Sequence, residues 1–171
     1  MKRILLLMLV GLVLTSCNSS SDSSGDPEAE NTIGYPNKLI EHGFYSGYTK
    51  YGGIEVTDVT LIEITSQEDL DEFWSLHKSN ESPGSTTPLV DFNNKMLLVI
   101  ICPVYSTGGY DIIINEIYEN DKKLVVAATL QSPGSGCMVS QALTQPYTIV
   151  EIDFSDLPIA LNLTRKTVNC L

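Results

Sequence analysis

Basic residues are scarce in this chain. Lys and Arg number 10 against 21 Asp and Glu, which leaves a net charge of −11. A surface that neutralises a phosphate backbone needs the opposite balance, so a nucleic-acid partner is excluded. Long apolar runs are lacking as well. No stretch reaches the roughly 20 residues that cross a bilayer as a helix, so no mature membrane span is expected. Histidine occurs only at His42 and His77, and no cysteine pair has the short spacing of a zinc site. No metal centre is therefore expected. His77 reads as a core-edge residue rather than a ligand. The chain also lacks a G-x-S-x-G elbow, a P-loop and a G-x-G-x-x-G turn. Its carboxylates are scattered, and Glu68, Asp69, Asp71 and Glu72 fall mostly on the solvent side of one segment. A Cys137–His77 nucleophile pair has no local support. Neither a catalytic residue nor a cofactor is expected, and the protein reads as a non-enzyme.

The N-terminus carries an address. Met1-Lys2-Arg3 is followed by the apolar run Ile4–Leu14 and then Thr15-Ser16-Cys17. A basic start, a short apolar run and small residues before a cut point make a secretory signal. Leu14-Thr15-Ser16-Cys17 resembles the lipobox of bacterial lipoproteins. That resemblance implies a signal peptide over residues 1–16, cleavage before Cys17 and acylation of its thiol. Two or more acyl chains anchor a protein to a membrane without spanning it. The expected location is thus the bacterial cell envelope, at a membrane surface. Asn18–Thr32 reads NSSSDSSGDPEAENT and buries too little apolar surface to offset its ordering entropy. Residues 17–44 are expected to be the lipidated cysteine and a flexible Ser-rich acidic tether. Residues 45–171 are expected to form one domain, and 43% hydrophobic content is ample for a core.

Within that domain the pattern is mostly β. Gly53–Ile64 is rich in Val, Ile and Thr and predicts one or two strands. Ser66 then precedes a run of acids and can cap a helix. Leu70, Phe73, Trp74 and His77 recur at i, i+3, i+4 and i+7, which makes one helical face near residues 66–78. The Ser82-Pro83-Gly84 breaker ends it. Lys95–Cys102 carries Met-Leu-Leu-Val-Ile-Ile, enough for a strand buried on both faces. Tyr110–Tyr118 and Lys123–Leu130 flank a turn at Glu119–Lys122. Pro146–Phe154 and Leu157–Leu163 are two further strands. The expected fold is an antiparallel β-sandwich or barrel-like domain with one inserted amphipathic helix, formally α+β.

Besides Cys17 the cysteines are Cys102, Cys137 and Cys170, and an exported chain lives where disulfides persist. Alternating strand directions bring all three to one end, so any pairing is open. The favoured pairing is Cys137–Cys170, which would fix a tail prone to fraying and a Gly-rich loop. On the chain-entropy model that closure stabilises by about 3–4 kcal/mol. Cys102–Cys137 is the alternative. Cys102 otherwise reads as a buried thiol.

Two loops at that end stand out. Ser106-Thr107-Gly108-Gly109-Tyr110 lies between two strong strands, and paired glycines allow positive φ and close backbone approach. It is either a tight turn with Tyr110 packed inward or an exposed recognition loop. Ser132-Pro133-Gly134-Ser135-Gly136-Cys137 is the other. Loops on a rigid β scaffold are where binding is usually housed.

Taken in order, these pieces resemble the PrcB C-terminal family of bacterial lipoproteins over roughly Glu63–Leu163. The resemblance rests on Ile64–Glu68 with Phe73-Trp74, on Pro88–Phe92, on Thr107-Gly108-Gly109-Tyr110, on Pro133-Gly134, and on Thr144–Tyr147 with Ile149-Val150. It implies an anchored, non-catalytic accessory subunit of an exported complex, with an envelope protein such as a surface protease as partner. It also draws attention to Thr107, Gly108, Gly109, Tyr110, Pro133 and Gly134 as recognition residues. The Thr107–Tyr110 loop is similar as well to the Thr-Gly-Tyr loop of chagasin-type cysteine-protease inhibitors, with one extra Gly and no preceding Asn-Pro. That similarity implies an inhibitor as the alternative. A cell-envelope module for a small ligand is the third reading, and it predicts a concave pocket near the two loops.

Overall fold

The computed structural model describes residues 33–44, 50–51, 54–77, 86–120 and 122–170. The signal peptide, Cys17, Asn18–Thr32 and the Ser82–Gly84 breaker lie outside the described residues.

The elements run β1 (Ile33–Gly34), β2 (Asn37–Phe44), β3 (Lys50–Tyr51), β4 (Ile54–Glu55), β5 (Thr60–Ile64), α1 (Gln67–His77), β6 (Lys95–Ile101), β7 (Asp111–Asn120), β8 (Lys123–Pro133), β9 (Pro146–Asp153) and β10 (Ile159–Val168). Two four-stranded sheets carry the fold, in the orders β1-β7-β8-β10 and β2-β9-β6-β5. Both keep open edges among the described residues, so the domain is a sandwich and not a closed barrel.

β6 shows why the sheets stack. Met96, Leu98 and Ile100 alternate with Leu97, Val99 and Ile101, and all six are buried. The first set meets Ile112, Ile117, Leu124 and Val126 of the facing sheet. The second set meets Leu70, Phe73 and Trp74 of the helix. A strand sandwiched between two layers must be apolar on both faces, which is the meaning of its unbroken hydrophobic run.

The helix begins where its cap residue predicts. The Asp69 backbone N–H donates to Ser66 Oγ at 3.1 Å, and the Ser66 hydroxyl donates to Asp69 Oδ2 at 2.6 Å. These two bonds satisfy one orphan donor and hold the first turn. Leu70, Phe73, Trp74 and His77 form the buried face.

Two expectations are corrected. Residues 33–44 belong to the domain as β1 and β2 and not to the tether. β2 reads NKLIEHGF, mostly polar and half-exposed, because it is an edge strand with one side to solvent. Sequence patterning is weak in such strands. Second, the sandwich is not wholly antiparallel: β10 runs parallel to β8, from Ile159↔Leu124 to Val168↔Pro133. β9 lies between them in sequence but in the other sheet. Two reversals therefore restore the original direction.

Candidate functional site at one end of the sandwich

Strand register places both Gly-rich loops at the same end. β6 stops at Ile101, β7 starts at Asp111, β8 stops at Pro133 and β9 starts at Pro146. The two loops touch. A side-chain carbon on Gly109 would begin 3.1 Å from Pro133 Cβ and 2.8 Å from Val139 Cγ1, and Gly109 has φ 87°. Only glycine fits that backbone and that gap.

The segment between Cys137 and Pro146 staples the end together. Gly108 N–H donates to the Ser140 carbonyl at 2.9 Å, and the Thr144 hydroxyl donates to the Thr107 carbonyl at 2.7 Å. Tyr105 and Thr144 exchange backbone bonds in both directions. The buried Gln145 amide donates to the Cys102 carbonyl at 2.9 Å. Tyr110 stacks face to face on Tyr105, with centroids 3.7 Å apart and planes 3° from parallel. Gly134 N–H donates to the Val168 carbonyl at 2.9 Å, and a disulfide joins Cys137 to Cys170 just beyond.

The sequence-predicted residues thus come together, in different roles. Gly108 is buried against Ser140, while Gly109 is exposed with Val139 and Pro133 beside it. Tyr110 is half-buried. The Thr107–Tyr110 turn is tied to the neighbouring segment through Thr107 and Gly108. In that segment Met138 is fully exposed and Leu143 is 58% exposed. Both were missed in the sequence because no periodicity marks an irregular loop. The staples Thr144 and Gln145 had a signal, the Thr-Gln-Pro-Tyr string, but not one that named their partners.

Burial pushes the Cys102 thiol up to about 12 and likewise lifts the Tyr105 hydroxyl to about 12. Both are protonated at neutral pH, and Cys102 is a free buried thiol. Two polar side-chain contacts flank the end. His42 Nε2 meets Asp111 Oδ1 at 2.7 Å on one side, and Arg165 donates to Asp58 at 3.0 Å on the other. The Val59 backbone N–H, and then Arg165, hold the Asp58 carboxyl below its ordinary range.

The match to known families falls on these elements. The family model described as PrcB C-terminal matches residues 96–153. Over these residues the chain is similar to that family. The match runs from β6 to the last residue of β9, so it holds both Gly-rich loops and the stapling segment. The earlier stretches Ile64–Trp74 and Pro88–Phe92 lie outside it. No curated protein and no solved structure matches the chain.

Other features of the chain lie beside this end or beyond it. His77 is fully buried on the helix, 2.8 Å from Tyr147 Oη and 3.7 Å from Glu41 Oε1. Its ring also packs edge-on against Tyr147. It ties helix to sheet, while Cys137 is held in the disulfide. A cleft of about 170 Å³ opens between β2 and β7, lined by Leu39, His42, Ile112, Ile114, Thr148 and Val150. A second, of about 200 Å³, opens by Pro36, Lys38, Lys95 and Glu151. Both are smaller than the roughly 300–1,000 Å³ of a typical small-molecule site.

Proposed function

We propose that this protein is a membrane-anchored, non-catalytic accessory subunit of an exported protein complex, with an envelope protein such as a surface protease as its partner. The PrcB C-terminal match across residues 96–153 carries this reading. The lipobox-like Leu14–Cys17 and the secretory N-terminus support the anchor and the cell-envelope location. Scattered carboxylates and the absence of any nucleophile motif in the sequence support a non-catalytic role. The chagasin-like alternative needs a Thr107–Tyr110 loop that enters a cleft, and the bonds that tie Thr107 and Gly108 to Thr144 and Ser140 do not favour it.

The test is a mild-detergent co-purification of the tagged full chain from its own cells, paired with a deletion strain. A partner that co-elutes in fixed ratio and falls in abundance in the deletion strain supports the reading. A partner that becomes more active after deletion points to inhibition. Nothing above background in the co-purification overturns the subunit reading.

A further inference from the structure

β7 is longer than the strand beside it. β1 pairs with it only at Ile33↔Glu119 and Gly34↔Tyr118, and the Tyr35 N–H adds one bond to the Ile117 carbonyl at 2.7 Å. At Pro36 the chain leaves for β2 in the other sheet. Over Asp111–Ile114, β7 then has β8 on one side and no strand among the described residues on the other.

The phase of the ladder decides which groups line this open edge. Along an antiparallel pair, residues turn their N–H and C=O alternately towards and away from the neighbour. Ile117 turns away from β8, since its carbonyl serves Tyr35. It faces Val126, and along β8 the residues of the same phase are Ala128 and Leu130. Their partners, Ile114 and Ile112, therefore turn outward as well. Ile112 agrees with this phase: its N–H donates at 2.9 Å to Asp111 Oδ1, its neighbour's carboxylate. The same oxygen meets His42 Nε2 at 2.7 Å. These contacts close the edge at the Ile112 N–H. The Ile112 carbonyl and both main-chain groups of Ile114 still face outward.

The floor beside the edge is apolar. β2 pairs with β9 through Leu39↔Val150 and His42↔Thr148, and Val150 belongs to the core between the sheets. Residues paired directly across two strands share a face, so Leu39 points into the sandwich. It is 59% exposed all the same. The cleft of about 170 Å³ bounded by Leu39, His42, Ile112, Ile114, Thr148 and Val150 lies where a further strand beside β7 would cover it.

We propose that an extended segment of a protein partner adds to β7 as a strand beside Asp111–Ile114, with an apolar side chain set down on Leu39. The proposal deepens the accessory-subunit reading and rests on it for a protein partner. Main-chain groups at the edge call for an extended backbone, and Leu39, Ile112 and Ile114 call for an apolar side chain at an inward position. This chain's own β1 turns away before it reaches the place. Four residues of edge extend about 13 Å. That length takes a strand, but it falls far short of the roughly 800 Å² per partner of a stable contact between folded domains. A second copy docked here is thus disfavoured.

Amide hydrogen exchange on the purified full chain tests the edge by itself. Ile113, bonded towards β8, should hold its amide proton at least about tenfold longer than Ile114. Equal protection would mean that the edge is already covered, and would overturn the proposal. A photo-crosslinking residue is then placed singly at Leu39, Leu89 and Phe154 of the full chain in its own cells. Leu89 and Phe154 are exposed apolar controls outside the cleft. The adduct at Leu39 should map to one short segment of one protein and be missing from the controls. That segment, as a synthetic peptide, should bind the purified chain and slow Ile114 exchange. Leu39→Lys should weaken it about tenfold or more at an unchanged melting temperature, and Leu89→Lys should match the wild type. An adduct within this chain, one of twice its mass, equal labelling at all three positions, no adduct, or a peptide indifferent to Leu39→Lys each overturns the proposal. Partner abundance in a deletion strain separates the two ideas. A partner mapped to Leu39 but indifferent to deletion ends the subunit reading and leaves the strand addition standing. A partner that depends on the chain yet never crosslinks at Leu39 does the reverse.

Discussion

Gly109 and Gly136 sit in neighbouring loops and face opposite constraints. Gly109 has a positive φ, with Val139 and Pro133 where a side chain would begin, while nothing lies within 4 Å of that position at Gly136. Gly109→Ala should cost about 1–3 kcal/mol, from backbone strain and a displaced neighbour. Gly136→Ala should stay within about 0.5 kcal/mol of the wild type. Urea titration of both variants checks the pair, and equal losses would refute the packing account. Paired glycines were legible as a tight turn. What they are tight against was not, because Val139 and Ser140 come from a later loop. Cys102 supports a second test at this scale. Its buried thiol stays protonated up to about 12, against 9.0 ordinarily. Between those values the unfolded chain releases a proton that the folded chain keeps, so stability falls as pH rises through that window. Cys102→Ala should remove this share of the alkaline decline, leaving that of Tyr105. Iodoacetamide at mildly alkaline pH should leave the Cys102 peptide unmodified until denaturant is added.

Elements were legible in proportion to how one-sided their burial is. The helix was readable because a cap, an acidic first turn and a four-residue apolar face all agree, and β6 because both its faces are covered. β2 was not, since an edge strand with a polar face carries little period-two signal. Trp74 tests the helix's attachment. It is 8% exposed and packs with Phe73 and Leu70 over the second face of β6. Trp74→Ala should destabilise by about 3–5 kcal/mol. Ser66→Ala, which deletes only the cap, should cost about 1 kcal/mol. Thermal melts that rank the two variants the other way would mean that the helix is held by its end and not by its face.

For the whole molecule, the Cys137–Cys170 disulfide closes the loop end just past the last paired residues of β8 and β10. The double variant Cys137→Ser/Cys170→Ser should lose about 3–4 kcal/mol in urea unfolding. Because the effect falls mainly on the unfolded chain, the near-ultraviolet circular dichroism of the folded state should be unchanged. At this scale the family and the mostly-β architecture were legible in the sequence. The parallel pairing of β8 with β10 was not, because it exists only once β9 is assigned to the other sheet. That register also sets an order in time. Asn37 pairs with Ile152, and Ile33 pairs with Glu119. β1 therefore has no partner until β7 emerges, and β2 none until β9 emerges. β5–β6 and β7–β8 can pair as they emerge, but contacts as distant along the chain as β2–β9 close slowly. The two sheets can close only once β9 has been made, because β9 joins β2 to β6.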